Sequence, residues 1–266
     1  MVLRQRVKDI YRSRYILWTM VLKDIKARYT GSLFGSLWLV LIPIYQILLY
    51  TFVFSIILRV RFEEESTTLS FVIYLLAGLI PWIFFSEATN RGINTFIENA
   101  HLIKKIKFPA EICTLSVIFS SAVTFFIYML FYVLMLLFHG TINLKTLPFF
   151  LFPFTLQVLI ILGLSFGFGS LTVFFRDITQ GIGMVLNLLF FLTPIVYPVK
   201  TIPYKLKWVF LINPFYYIVE IYRWVLIKGE IPSLSFFYYP VIFSLLVFLL
   251  GYYLFSKTEE AFKDTL

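Results

Sequence analysis

Six runs of apolar residues, roughly 33–58, 69–90, 113–138, 148–173, 180–198 and 234–255, limit what this chain can fold into. At about 1.5 Å per helical residue each run approaches or exceeds the ~30 Å of a bilayer's hydrocarbon core. The chain is 60% hydrophobic and 14% charged, against ~45–50% apolar for a soluble domain. These features predict an all-α polytopic membrane protein with six transmembrane helices per subunit.

Residues 1–32 precede the first run. Val7, Tyr11, Tyr15, Trp18, Leu22, Ile25 and Tyr29 recur at steps of three and four, and Arg4, Arg6, Lys8, Arg12, Lys23 and Lys26 fall mainly off that stripe. The pattern predicts an amphipathic helix lying in the membrane interface. No cleavable signal peptide is visible. The domain reading is therefore an interface helix over 1–32 and a six-span domain over 33–266.

The net charge of +9 would point to nucleic acid in a soluble protein. Here the cations flank apolar runs, so they set membrane orientation, and no nucleic-acid partner is expected. The N-terminal arm and the connection 91–112, with Arg91, Lys104, Lys105 and Lys107, are the most basic segments. Two spans separate them, which places both on the cytoplasmic side, and six spans return the C-terminus there. The misfit is 199–233, which falls outside although it holds Lys200, Lys205, Lys207, Arg223 and Lys228.

Within that segment, Pro198 and Pro203 bracket a start, and Asn213-Pro214 offers an N-cap and a first helical residue. Lys228 and Gly229 close the helix. Roughly 15 helical residues reach only ~22 Å, too short to cross. Two short helices hinged at proline predict a re-entrant pair over about 199–229. Non-helical backbone at membrane depth must be buried in protein or face water.

Catalytic signals are scarce. His101 and His139 lie in different connections without metal-ligand neighbours, so no metal site is expected. No GxxxxGK[ST] phosphate loop is present. Ionisable residues inside the runs are nearly absent, which argues against coupling to an ion gradient. Glu87 shares a helix face with Asn90, Arg91 and Asn94, while Glu220 lies three residues from Arg223, close enough to pair. Gly31–Gly35, Gly163, Gly167 and Gly169 read as close helix packing. The single cysteine, Cys113, excludes an intrachain disulfide. Among 32 Phe, 17 Tyr and 5 Trp, Trp38, Ile42, Tyr45, Leu49 and Phe52 form one stripe of the first span. Asn187 and Phe191 share a face of the fifth.

KARYTGSLFGSLWLVLIPI (26–44), GLIPWIFF (78–85), NAHLIKKIKFPAEI (99–112), FFRDITQ (174–180), FFLTPIVYP (190–198) and NPFYYIVEIYRWVL (213–226) occur in that order. Together they resemble the membrane subunit of ABC-2 type exporters, most closely the polysaccharide permeases: O-antigen (Wzm-type), teichoic acid and capsule exporters. The resemblance covers nearly the whole chain.

It implies a bacterial cytoplasmic (inner) membrane homodimer joined to two copies of a separate ABC ATPase, which exports a lipid-linked polysaccharide. The chain would have no catalytic residue and bind no cofactor; ATP and Mg2+ would sit on the partner. It implies a coupling helix within 94–108, for which Glu98, Asn99, His101, Lys104, Lys105 and Lys107 are the candidates. It implies an outer gate at 199–229, with Glu220, Arg223, Tyr217 and Trp224. A wide, hydrated polymer calls for many weak contacts, and Trp38, Tyr45, Phe52, Asn187 and Phe191 are the candidate path residues. The rival readings are a permease for another amphiphile and a membrane enzyme acting on polyprenyl-linked sugars. The first often carries a large outer domain where this chain has only 59–68, and the second needs converging acids or histidines.

Overall fold

The computed structural model describes residues 2–28, 30–57, 68–105, 108–140, 142–199 and 202–265; Lys107, Lys200 and the acidic connection 58–67 lie outside the described residues. The N-terminal arm is two helices, α1 (Val2–Arg12) and α2 (Arg14–Ala27), with a turn at Ser13. The aromatic stripe Tyr11, Tyr15 and Trp18 is exposed, while Val21 is buried where α2 lies along α6.

A 3-10 turn at Gly35–Leu37 leads into α3 (Trp38–Thr51), which continues as π-helix over Phe52–Ile57. The helix α4 (Thr68–Glu98) is apolar all round over most of its length, as a helix surrounded by others must be. It forms the centre of the bundle: Phe71, Leu75, Phe84, Phe85, Ile93 and Phe96 are buried. A short helix, α5 (Ala100–Lys105), follows it directly. Then come α6 (Glu111–His139), ended by Gly140 in the left-handed conformation, and α7 (Leu151–Thr172). After α8 (Asp177–Phe191), α9 (Lys207–Ile212) and α10 (Pro214–Arg223) form a pair bent by 92°. A π-helical turn, Trp224–Lys228, extends α10, and α11 (Leu234–Thr265) closes the chain.

Among the described residues five helices are long and apolar enough to cross a membrane, or up to six if the bent pair counts as one span. The fifth apolar run, expected over 180–198, is helical only over Asp177–Phe191. It stops ahead of Thr193-Pro194, because a residue preceding proline is driven out of the helical region. Its 15 residues reach ~22 Å. It is thus a shorter apolar helix outside the five candidate spans, and residues 192–198 follow it without regular helix, with Thr193, Pro194 and Ile195 buried.

Both chain ends lie on the same side of the bundle. Arg6 of α1 bridges Glu111 at the start of α6 (2.7 Å) and Glu259 near the end of α11 (2.6 Å). At the opposite end, Asn143 donates to the Gly229 carbonyl (3.1 Å) and Thr146 to the Val225 carbonyl (3.0 Å).

Glycine sets the closest helix approach. A Cβ on Gly251 would lie 1.8 Å from the Gly163 carbonyl oxygen, so α7 and α11 touch through backbone. Gly169 faces α4, where its Cβ would lie 3.3 Å from the Ile93 oxygen. Gly31 and Gly35 differ from the packing expected of them. They take φ of 83° and 51° in the loop before α3, with nothing within 4 Å of either added Cβ. Their role in the subunit is the left-handed turn.

Gly251→Val should therefore lower stability by at least the ~1–3 kcal/mol of an overpacked core. Gly181→Ala, with open space around it, should leave the melting temperature in nanodiscs unchanged. Equal melting of the two variants would refute the backbone contact.

Candidate functional site

The strongest concentration of polar chemistry inside the bundle surrounds α10. Asn213 caps it as the sequence predicts, its Oδ1 accepting from the Phe215 amide at 2.9 Å. The same side chain also reaches back: its Nδ2 donates to the Leu192 carbonyl (3.1 Å) and to Thr193 Oγ1 (2.8 Å). Arg223 is 2% exposed and makes three kinds of contact. It donates to Glu220 Oε1 at 2.8 Å and to the Ile195 carbonyl at 3.2 Å. Its guanidinium carbon lies 3.4 Å from the ring centroid of Tyr74 on α4. Gly78, one turn further along α4, provides the room, since a Cβ there would lie 3.1 Å from Arg223 Nη2.

The expected pair Glu220–Arg223 is thus present, within a socket larger than the pair. Asn213 and Arg223 act on the carbonyls of the segment that interrupts α8. Those groups have no helical partner, and a buried carbonyl must find one in the protein. Beside them, Tyr222 donates to Gln157 Oε1 (2.8 Å), and Gln157 Nε2 donates to the Pro81 carbonyl (3.1 Å). Tyr222 and Gln157 are fully buried, so α10, α7 and α4 share one polar chain in the apolar core. Tyr217 packs on Phe236 and Tyr239 of α11, with ring centroids 4.9 and 5.1 Å away. Trp224 carries the Lys228 ammonium 3.6 Å above its ring.

A second polar site lies at the end of the bundle that carries the chain termini. Asp24 and Arg28 of α2 meet Glu87 and Arg91 of α4. Arg28 reaches Glu87 at 2.7 Å and Asp24 at 3.4 Å, and Arg91 bonds Asp24. Ser120 and Ser121 of α6 accept from Arg28 at 3.2 Å each. Burial would raise the Asp24 carboxyl, but hydrogen bonds from Arg91 and Ser120, with the charges of Arg91 and Arg28, hold it below the ordinary aspartate value. Burial likewise opposes the charge on Arg6, yet Glu111 and Glu259 raise its pKa above the ordinary arginine value. Asn94, on the face shared with Glu87, accepts from Thr179 of α8 at 2.9 Å.

The coupling candidates cluster at this same end. Glu98 closes α4, and Asn99 bonds back to the Thr95 carbonyl at 2.9 Å. His101, Lys104 and Lys105 are exposed on α5, and Lys107 lies outside the described residues. A cavity of about 550 Å³ opens between α1, α5 and α11, lined by Arg6, Asp9, Arg12, Lys104, Glu111 and Glu259 among others. The path candidates lie on the subunit surface: Tyr45, Phe52, Asn187 and Phe191 are exposed, and Trp38 is partly covered by an edge contact to Phe34. Both helices that carry them, α3 and α8, pack on α4.

Sequence reasoning missed Gln157, Gln46 and Tyr74. For the two glutamines the available signal was an uncharged amide alone in an apolar run. Gln46 bonds Tyr128 and fastens α3 to α6. Glu111 and Arg6 had no such signal, because their partners are more than a hundred residues apart.

A family model described as the ABC-2 type transporter matches residues 15–227. The chain belongs to this family and is a multi-pass membrane protein. It is similar over almost its whole length to "O-antigen export system permease protein RfbA" of Klebsiella pneumoniae, 28% identical across 98% of this chain and 99% of that one. A protein of the same description from Myxococcus xanthus is 30% identical over 74% and 73% of the two chains. "Polysialic acid transport protein KpsM" of Escherichia coli is 27% identical over 91% and 93%.

Removing one member of a buried ion pair leaves the other uncompensated and costs ~3–5 kcal/mol. Glu220→Gln and Arg223→Ala should therefore be non-additive in a double-mutant cycle on thermal stability. Arg223→Lys should not restore stability, because an ammonium cannot bond Glu220 and Ile195 while stacking flat on Tyr74. Strict additivity would mean that the two charges act separately.

Proposed function

We propose that this chain is the membrane subunit of an exporter that moves a lipid-linked polysaccharide across the bacterial inner membrane. The observation that carries the reading is the similarity to an O-antigen export permease over 98% of this chain and 99% of that one. The geometry supports it. Two apolar helices with a single buried residue each, α3 and α8, turn Tyr45, Phe52, Asn187 and Phe191 outward, away from the core around α4. In a homodimer these faces would meet and line a wide path whose flat aromatic surfaces give weak, repeated contacts.

Energy would come from ATP and Mg2+ on two copies of a separate ABC ATPase, docked at α5 and the N-terminal helices. The chain itself would bind no cofactor and catalyse no reaction. Both termini and α5 would then be cytoplasmic, and the bent pair α9–α10 would sit at the exit.

Three outcomes are expected. Single cysteines placed at Leu144 and Ser233 in a Cys113→Ala background should react with an impermeant maleimide in intact cells, whereas one at Lys104 should react only after permeabilisation. The opposite pattern would invert the topology. Charge reversal at Lys104, Lys105 and Lys107 together should abolish export while folded protein persists; full export with normal ATPase binding would reject the coupling role. For the path, alanine at Tyr45, Phe52 and Phe191 should cut export without reducing the yield of assembled protein. Loss through expression alone would assign these side chains to packing.

A further inference from the structure

The two halves of the bent pair are held very differently. In α10, Phe215, Ile218, Val219, Ile221, Tyr222 and Arg223 are buried. Every residue of α9 is at least partly exposed, Trp208 and Ile212 at 61% each.

The polar contacts divide in the same way. Arg223 reaches the Ile195 carbonyl, and Asn213 holds Leu192 and Thr193, so the α10 end supplies the hydrogen bonds of the segment after α8. Tyr222 reaches α4 through Gln157. Withdrawing α10 would leave these carbonyls, an amide and a guanidinium unpaired in an apolar interior. By contrast α9 is tied through the Tyr239 hydroxyl on the Ile212 carbonyl and an edge contact of Phe210 with Tyr197 at 6.3 Å between centroids. It joins α10 at Asn213, an extended residue (φ −76°, ψ 113°) whose side chain is fixed to the α8 end.

We infer that Gln157, Tyr222 and Arg223 are positioning residues that fix α10 as a stationary wall of the exit, and that α9, hinged at the Ile212–Asn213 junction, is the half that moves when the path opens. The inference rests on the export reading for the word exit; the difference in anchoring does not.

Hydrogen exchange on the unmodified protein, assembled with its ATPase, tests the division without substrate. On addition of ATP the amides of 208–212 should exchange faster, while those of 216–222 stay protected. Equal acceleration in both halves would overturn the inference, as would no acceleration in α9. Tyr222→Phe should lower protection of the α10 amides about tenfold, the worth of roughly one buried hydrogen bond, and leave α7 amides distant from Gln157 unchanged. A uniform loss across the bundle would mean a general packing role.

Tethers give the second readout. Cysteines replacing Tyr217 and Phe236, joined by a short reducible linker, hold α10 to α11. Cysteines replacing Phe210 and Tyr197 hold α9 to the segment after α8. The first tether should leave polysaccharide export within about twofold of the unlinked variant, and the second should stop it until the linker is reduced. A block by the first, or free export with the second, would overturn the assignment. If the unlinked variants keep ATP-dependent exchange yet export no polysaccharide, the export reading fails and the hinge is judged on exchange alone.

Discussion

The structure depends on one requirement: backbone amides and carbonyls that leave a helix inside an apolar bundle must find partners in the protein. The chain leaves α8 at Leu192, and residues 192–198 supply carbonyls without helical donors. Asn213 and Arg223 provide them. Much else follows from placing a guanidinium there. Glu220 balances its charge, Tyr74 offers a ring face, and Gly78 keeps the adjoining wall of α4 open. A proline that ends one helix is thus linked to a glycine in another more than a hundred residues away.

The helix α4 connects this socket to the opposite end of the bundle. It runs unbroken over Thr68–Glu98, with Tyr74 and Gly78 toward one end and Glu87 and Arg91 toward the other. There the ionic cluster fastens α2 to the bundle, and α5 begins within two residues of the helix end. One helix thus carries contacts to both polar sites, to α10 at one end and to α2 at the other. Around α4, contact between helices rests on close approach rather than on apolar transfer, since lipid is as apolar as the core. Gly163 and Gly251 bring α7 and α11 to backbone contact, and Gly92 admits Ser165.

Much of this architecture was legible in the sequence. The apolar runs, the caps Asn213 and Gly229, and the pairing of Glu220 with Arg223 follow from spacing alone, because they are local. The fifth run shows where composition misleads. Its apolar character continues to 198, but Thr193-Pro194 ends the helix, and hydropathy does not distinguish helical from non-helical backbone. Gly31 and Gly35 show a similar limit. Their spacing matches helix packing, yet their positive φ places them in a turn.

The sequence by itself determined that the chain enters the membrane, where its long apolar helices begin to within a few residues, and where α10 is capped. Those properties depend on residues within a turn or two of one another. Only the tertiary structure decided the partners of Arg223, Asn213 and Gln157, and the joining of Arg6 to Glu111 and Glu259. A buried polar group in an apolar bundle takes whatever partner the helix packing brings within about 3 Å. That choice is made by contacts between helices far apart in the chain, which no local pattern encodes.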